Sequence, residues 1–284
     1  MLKSYVFSLP VDKAVMFTDH KDKYKKKIEK QQRSLIVKIP FIKPFLVLDE
    51  NILLITTGYS QVNTLDQILT AWIFIYLKRS LFVFTNKRIF HIPATVRYGY
   101  RNSIAQILYS ESQSVTLKGR TLVVQCGVCG NQDKFIGIRG KEKKKIRTIM
   151  KKVEFNARYK PASERAHLCP RCTKELTKGE YVCPNCNLKF KRKSKLRSLV
   201  PGIAYFYMRH TFLGIVNIIV ELILIGFLIS FYLKLSQDVK AANLYLMLFG
   251  GLFIFEKIAT MCHSSHFIDE YVPEVEEVKP LLAS

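Results

Sequence analysis

The sequence predicts a multi-domain chain: a mainly-β domain closed by a helix, a small cysteine-clamped unit, and an α-helical transmembrane hairpin. Three observations carry this. Short alternating apolar segments bounded by turn residues run through residues 35–157, four cysteines stand in two C-P-x-C pairs within residues 158–192, and a long apolar run, TFLGIVNIIVELILIGFLISFYL, carries one charge, Glu221.

The composition narrows the class. The 284 residues carry a net charge of +23 yet are 49% hydrophobic, so the apolar residues must be concentrated, and they are, near the C-terminus. A charge this high favours polyanionic partners: nucleic acid or an anionic membrane face. Six of seven cysteines fall in CxxC pairs, which argues for metal-bound thiolates in a reducing compartment and against a secreted disulfide framework. The opening MLKSYVFSLPVDKAVMF lacks a long apolar core and a cleavage site, so no signal peptide is expected.

After a basic segment at residues 1–34, the pieces SLIVKI, FLVLDENILLITTGY, SLFVFTNKRIFHIPA, SIAQILYSES, SVTLKG, TLVVQC and KFIGIRG read as strands or strand pairs. Hairpins are expected at Asn86–Lys87 and around Gly119. GKEKKKIRTIMKKVEF reads as a basic helix with Ile146, Ile149, Met150 and Val153 on one face. In NTLDQILTAWIFIYLKRS the apolar core is too short to cross a bilayer. It reads as an aromatic strand with Trp72 and Phe74 inside, or as a loop at the membrane interface.

Many strands and one closing helix is the order of a pleckstrin-homology-like barrel. LDENILLITTGYSQ, SLFVFTNKRIFHI and YRNSIAQILYSESQSVTLKGRTLVV resemble the bacterial pleckstrin-homology and GRAM-type domains. The carriers are Asp49, Glu50, Leu81, Thr85, Arg88, Ile89 and the SIAQI segment. The resemblance implies a binding or scaffolding module and names no ligand.

Cys169/Cys172 and Cys183/Cys186 form two complete knuckles joined by TKELTKGEYV. A CxxC turn aims two sulfurs at one point, and zinc takes four thiolates in a tetrahedron at about 2.3 Å. A structural zinc ribbon is expected, with Arg171, Lys174 and Lys178 offsetting the thiolate charge. With all four positions filled by protein, no catalytic position stays open. A redox CxxC would need a thioredoxin-like context that this sequence lacks. Cys126 and Cys129, in CGVCG, read as small buried thiols or a loop tip and only secondarily as a metal pair. Cys262, His263 and His266 near the second helix could bind metal, but a lone CH-x-x-H without further ligands is common by chance.

The hairpin helices are expected at about 211–233 and 241–261, with Lys257 snorkelling out of the second. Lys189, Lys191, Arg192, Lys193, Lys195, Arg197 and Arg209 precede the first helix, whereas the connecting loop offers only Lys234 and Lys240. The positive-inside rule then places the N-terminal domain, ribbon and tail in the cytoplasm. Within the juxtamembrane segment 193–210, Tyr205, Phe206 and Tyr207 are interfacial aromatics, and together with Lys191, Arg192, Lys193, Lys195 and Arg197 they form the expected lipid contact.

PGIAYFYMRH before the first helix resembles the start of small two-helix membrane domains. It departs from them at Ala204, Tyr205 and His210, and implies an anchor without defined chemistry. Inside the first helix, Glu221 shares a face with Asn217, so a hydrogen-bonded glutamate is expected there. The acidic tail, 263–284, reads as mobile.

No phosphate loop, HExxH or GxSxG is present, so no enzyme is expected. The reading is a membrane-anchored binding, scaffold or regulatory protein of a bacterial inner membrane. Its partners would be anionic inner-leaflet lipids and a membrane protein complex or a second copy. Nucleic acid is disfavoured because KFKRKSKLR interleaves only Phe190 with its charge. The rival readings are a membrane-tethered nucleic-acid binder and an accessory subunit of a transporter or channel.

Overall fold

The computed structural model describes residues 4–60, 78–95, 97–126, 132–153, 155, 165–177, 179–192, 200, 202–207, 210–233, 239–275 and 278, with backbone alone for Ser4, Cys126 and 262–269. Trp72 and Phe74 lie outside the described residues. Contacts divide the chain into two units. One holds the sheets, the four cysteines and the segment from Glu270 onward, and the other holds Lys191–Asp269.

The first unit begins with β1 (Ser4–Val6) and β2 (Leu9–Val11), which form a hairpin whose turn places Phe7 and Ser8 at φ 49° and 63°. α1 (Lys13–Met16) is capped by Asp12, whose carboxylate accepts from Val15 N at 3.1 Å. α2 (Lys26–Ile36) follows. The expected basic segment 1–34 is therefore a folded part of this unit, with Val6, Leu9, Val11, Met16 and Phe17 in its core. SLIVKI is also not a strand. Gln32, Leu35 and Ile36 lie on one buried helical face, and a 3-10 turn (Pro40–Phe45) follows. A short β-branched run has no periodicity of its own, and packing decided it.

β3 (Ile52–Tyr59), β4 (Arg79–Thr85), β5 (Arg88–Pro93) and β6 (Ile104–Leu108) are successive antiparallel neighbours, and the β4–β5 hairpin turns at Asn86–Lys87 as expected. β2 pairs in parallel with β3 at a single register position, Val11↔Ile52. Gln32 supports the same strand: its Nε2 donates to Ile55 O and its Oε1 accepts from Ile55 N, both at 2.9 Å, as a neighbouring strand would.

A second sheet comprises β7 (Ser112–Lys118), β8 (Thr121–Cys126) and β9 (Gln132–Phe135), and α3 (Lys143–Lys151) comes after it. β10 (Ala166–Leu168) joins the far edge of the first sheet, whose order is β1-β2-β3-β4-β5-β6-β10.

Strand periodicity sorts the side chains between two cores. Leu81 and Val83 of β4, with Phe90 and Ile92 of β5, face a cluster built with α1 and α2. Phe82, Phe84 and Ile89 face the opposite cluster, which β7, β8, β9 and α3 complete with Val115, Leu122, Phe135, Ile146 and Ile149. The larger sheet is thus covered on both faces, which is why β4 and β5 read as continuous apolar runs.

The strands do not close into a barrel. Among the described residues the two open sheets share one bridge, Tyr59↔Ile136, with Tyr59 N donating to Ile136 O at 2.9 Å. The outer edges of the larger sheet are taken by the N-terminal hairpin and by β10, so they are not available to the smaller sheet.

The second unit contains α4 (Ile203–Tyr207), α5 (Thr211–Leu233) and α6 (Val239–Asp269). α5 has the predicted bounds, and α6 overruns its expected end at 261. Thr211–Leu233 and Val239–Met261 are each long and apolar enough to cross a membrane. Phe227 and Phe231 of α5 stack on Phe249 of α6 at 4.8 and 5.5 Å, and Phe231 also stacks on Tyr245 at 4.6 Å. Gly202, at φ +66°, lets the chain pass α5 closely: a Cβ there would lie 2.6 Å from Gly214 O.

Candidate metal centre

Each cysteine pair sits on a tight knuckle with the same hydrogen-bond ring. Cys169 N donates to Lys174 O (2.8 Å) and Thr173 N to Cys169 O (2.9 Å); Cys183 N donates to Leu188 O and Asn187 N to Cys183 O (both 2.9 Å). Thr173 and Asn187 hold φ 62° and 55° at the corresponding corner. Outside each ring a further bond closes the hairpin, Leu176 N to His167 O and Phe190 N to Tyr181 O, both 2.8 Å. The second knuckle repeats the first residue for residue.

This geometry points backbone N–H groups at the sulfurs. Those of Arg171 and Cys172 reach Cys169 Sγ, and those of Asn185 and Cys186 reach Cys183 Sγ. Such donors stabilise thiolate charge. The two knuckles face each other. Cys169 Sγ and Cys186 Sγ are 3.5 Å apart, as are Cys172 Sγ and Cys183 Sγ, and the four ligand atoms all lie within 4.8 Å of one another. A disulfide needs about 2.05 Å, so all four thiols are free. A tetrahedral ion bound at about 2.3 Å would set its sulfurs about 3.8 Å apart, inside the observed span. The quartet can therefore hold a metal ion.

Cys169 and Cys183 are fully buried. Burial pushes the Cys169 thiol above its ordinary value in the metal-free chain, a penalty that a bound cation removes by deprotonating the thiols. Arg171 is half-buried and Lys174 exposed beside the knuckles, while Lys178 lies outside the described residues. Among the described residues no other group of three or more His, Cys, Asp or Glu side chains is close enough to share a metal. Cys126 ends β8, Cys129 lies outside the described residues, and Cys262, His263 and His266 are placed only as backbone of α6.

The walls of the centre contain a residue that the sequence did not suggest. Leu176, Leu188 and Phe190 pack with the sulfurs, and Tyr271, from beyond the hairpin, completes the cluster. The acidic tail expected to be mobile is thus docked at residues 270–275. Glu270 accepts two bonds from Arg165 Nη1 (3.1 and 3.3 Å), and its carbonyl accepts from Ser103 Oγ. Arg165 Nη1 also donates to His91 Nδ1 at 2.8 Å, which leaves Nε2 as the protonated nitrogen, facing Ser60 Oγ (2.8 Å) and Ser80 Oγ (3.0 Å). This Ser–His group is sealed: Ser60, Ser80 and His91 are all buried. Arg101 is half-buried, and desolvation lowers its guanidinium to about 10, outweighing the pull of Glu270. Only alternating polar residues mark this network in the sequence, and alternation does not reveal a partner at a distance of 167 residues.

The expected lipid contacts divide. Lys191 is buried, its Nζ donating to Tyr207 O and lying 4.8 Å above the Tyr207 ring. Arg192 N donates to Tyr207 Oη at 3.1 Å. Tyr205 is buried too, and burial pushes its phenol up to about 12. Lys191 and Tyr205 are thus both covered by protein, and the YFY segment forms α4, which packs on α5 and α6. Phe206 is exposed. Lys193, Lys195 and Arg197 lie outside the described residues.

Glu221 is buried, and Asn217 Nδ2 donates to its Oε1, as the shared helix face suggested. Lys257 does not snorkel: its Nζ donates to Glu221 Oε2 and ties α6 to α5. An apolar surrounding favours a partnered charge over an extended lysine chain. No family model, curated protein or solved structure matches this chain.

Proposed function

We propose that the chain is a non-enzymatic, membrane-anchored binding and scaffold protein. A pleckstrin-homology-like domain and a structural zinc ribbon are held on the cytoplasmic face of a bacterial membrane by the α5–α6 hairpin, where they organise or regulate a membrane complex. One observation carries the reading: Lys191–Asp269 interrupts a single compact unit that resumes at Glu270. An apolar hairpin inserted into a folded domain leaves and re-enters that domain on one side of a bilayer, as an anchor does.

Other features support the parts. Four antiparallel strands (β3–β6), three more (β7–β9) and then α3 follow the strand order of the pleckstrin-homology class. Four thiolates with no open position suit structural zinc. Lysines dominate the chain before the hairpin, which favours a cytoplasmic domain.

Anionic lipid is the favoured auxiliary ligand. The lysine runs of α2 and α3 are brought together by the Gln31–Glu142 bond and by Lys145 Nζ on Thr18 O (2.7 Å). Lys21, Lys23, Lys25, Lys26, Lys27, Lys30, Lys141 and Lys144 are exposed there. Each lysine near anionic headgroups contributes about 1 kcal/mol.

Membrane fractionation tests the anchor. The intact protein should stay with membranes through high salt and alkaline washing. A variant in which residues 193–269 are replaced by a flexible linker should become soluble. A variant that still floats with membranes in high salt overturns the anchor. Proteins co-purifying in mild detergent then identify the partner.

A further inference from the structure

The strap at residues 270–275 is bound at two ends by two different things. At its start, Glu270 is held by the sheet, through Arg165 and Ser103. One residue later it is held by the ribbon. Tyr271 is buried in the ribbon core, with its ring 4.7 Å from His167, 5.8 Å from Phe190 and 6.2 Å from Tyr181. Its hydroxyl accepts from Gly179 N at 2.8 Å and donates to Thr177 O at 3.3 Å. Beyond it, Glu274 N donates to Lys189 O at 3.0 Å, and Pro273 bridges Phe190.

Every ribbon group that Tyr271 touches lies on a knuckle flank or on the loop between the knuckles. Among its described residues that loop has no helix, and it gives the cluster Leu176, while Leu188 and Phe190 follow the second knuckle. Convergence of the four sulfurs draws those flanks together around Tyr271, and a bound cation stabilises four thiolates held so close. The socket for Tyr271 therefore exists when the centre is loaded.

We infer that metal occupancy of the cysteine quartet latches the post-hairpin strap: with metal bound, Tyr271 is seated and residues 271–275 are ordered on the ribbon, and metal loss frees them while Glu270 keeps its anchors on the sheet. The inference rests on the metal reading proposed above. Binding linkage makes the coupling reciprocal, so seating Tyr271 tightens the metal although it touches no sulfur through a bond. Residues that orient a centre from outside commonly change metal affinity about tenfold or more.

The test uses full-length protein in detergent or nanodiscs, with its metal content measured before and after chelation. Hydrogen exchange is followed at the Glu274 amide and, as an internal reference, in β4 and β5. The loaded protein should protect Glu274. The stripped protein should expose it while β4 and β5 stay protected. Tyr271→Ala should weaken zinc binding about tenfold, and Tyr271→Phe, which keeps the ring, should weaken it less. If the protein binds no metal, both this inference and the metal reading fall. If it binds metal but Glu274 exchanges alike in both forms, or Tyr271→Ala binds zinc as tightly as the parent, the latch alone falls.

Discussion

Arg88 closes on Glu50 with two bonds, Nε to Oε1 at 3.0 Å and Nη2 to Oε2 at 2.7 Å, and both side chains are buried. Thr85 Oγ1 donates to the same carboxylate at 2.7 Å and accepts from Arg88 N at 3.0 Å. Arg88 also reaches Phe45 O at 2.8 Å and Gln106 Oε1. Three residues that carried the pleckstrin-homology resemblance, Glu50, Thr85 and Arg88, thus form one clamp joining the 3-10 turn, the β4–β5 hairpin and β6.

Breaking this clamp from one side should be costly. Glu50→Gln or Arg88→Met leaves a buried partner uncompensated and should lower stability by about 3–5 kcal/mol. The double variant Glu50→Gln/Arg88→Met should lose less than the sum of the two. Denaturant titration of all four proteins gives the coupling, and strictly additive losses would refute the clamp.

The cysteine quartet predicts one metal ion per chain, zinc by donor type. Elemental analysis should read one, and Cys169→Ser or Cys183→Ser should bring it to near zero. Cys126→Ser should leave it at one, whereas two ions in the parent would point to Cys126 and Cys129. Removing a structural zinc forfeits on the order of 10 kcal/mol of binding free energy, so the ribbon should melt when stripped.

Lys257→Met should destabilise the hairpin by about 2–3 kcal/mol, since it leaves buried Glu221 without its cation. Adding Glu221→Gln should restore most of the loss, because Asn217 can still donate to the amide oxygen. Thermal unfolding in detergent compares the three proteins, and a double variant as unstable as the single one contradicts the pairing.

Glu142 gives a pH signature. Burial raises its pKa above the ordinary 4.5, against opposing bonds from Thr56 and Gln31. The folded state therefore keeps that proton longer than the unfolded chain does. The group's contribution to stability is complete below pH 4.5 and is lost as pH rises through the folded value. Glu142→Gln should melt higher than the parent at pH 7, and the gap should close toward pH 4.5. A gap that widens on acidification reverses the sign and rejects the assignment.

Where the sequence was legible, the determinants were local. Asn86–Lys87 marks its own turn, the C-P-x-C pairs fix their own knuckles, and the apolar run of α5 has unambiguous bounds. Where it was not, the determinants were distant. Whether SLIVKI became helix depended on Gln32 finding the backbone of Ile55, and where Lys257 points depended on Glu221. A barrel could be expected from strand order alone. The larger sheet stays open because β1, β2 and β10 arrive from outside that run of strands.

The placement of Tyr271 also sets an order of assembly. The ribbon's last wall is encoded after both long helices, so a ribosome has emitted the entire hairpin before that wall exists. Domains usually mature from the N-terminus as synthesis proceeds, yet here the cluster around the cysteines gains Tyr271 only after α5 and α6 have been made. A nascent chain stalled within α6 thus displays the four cysteines without the Tyr271 wall.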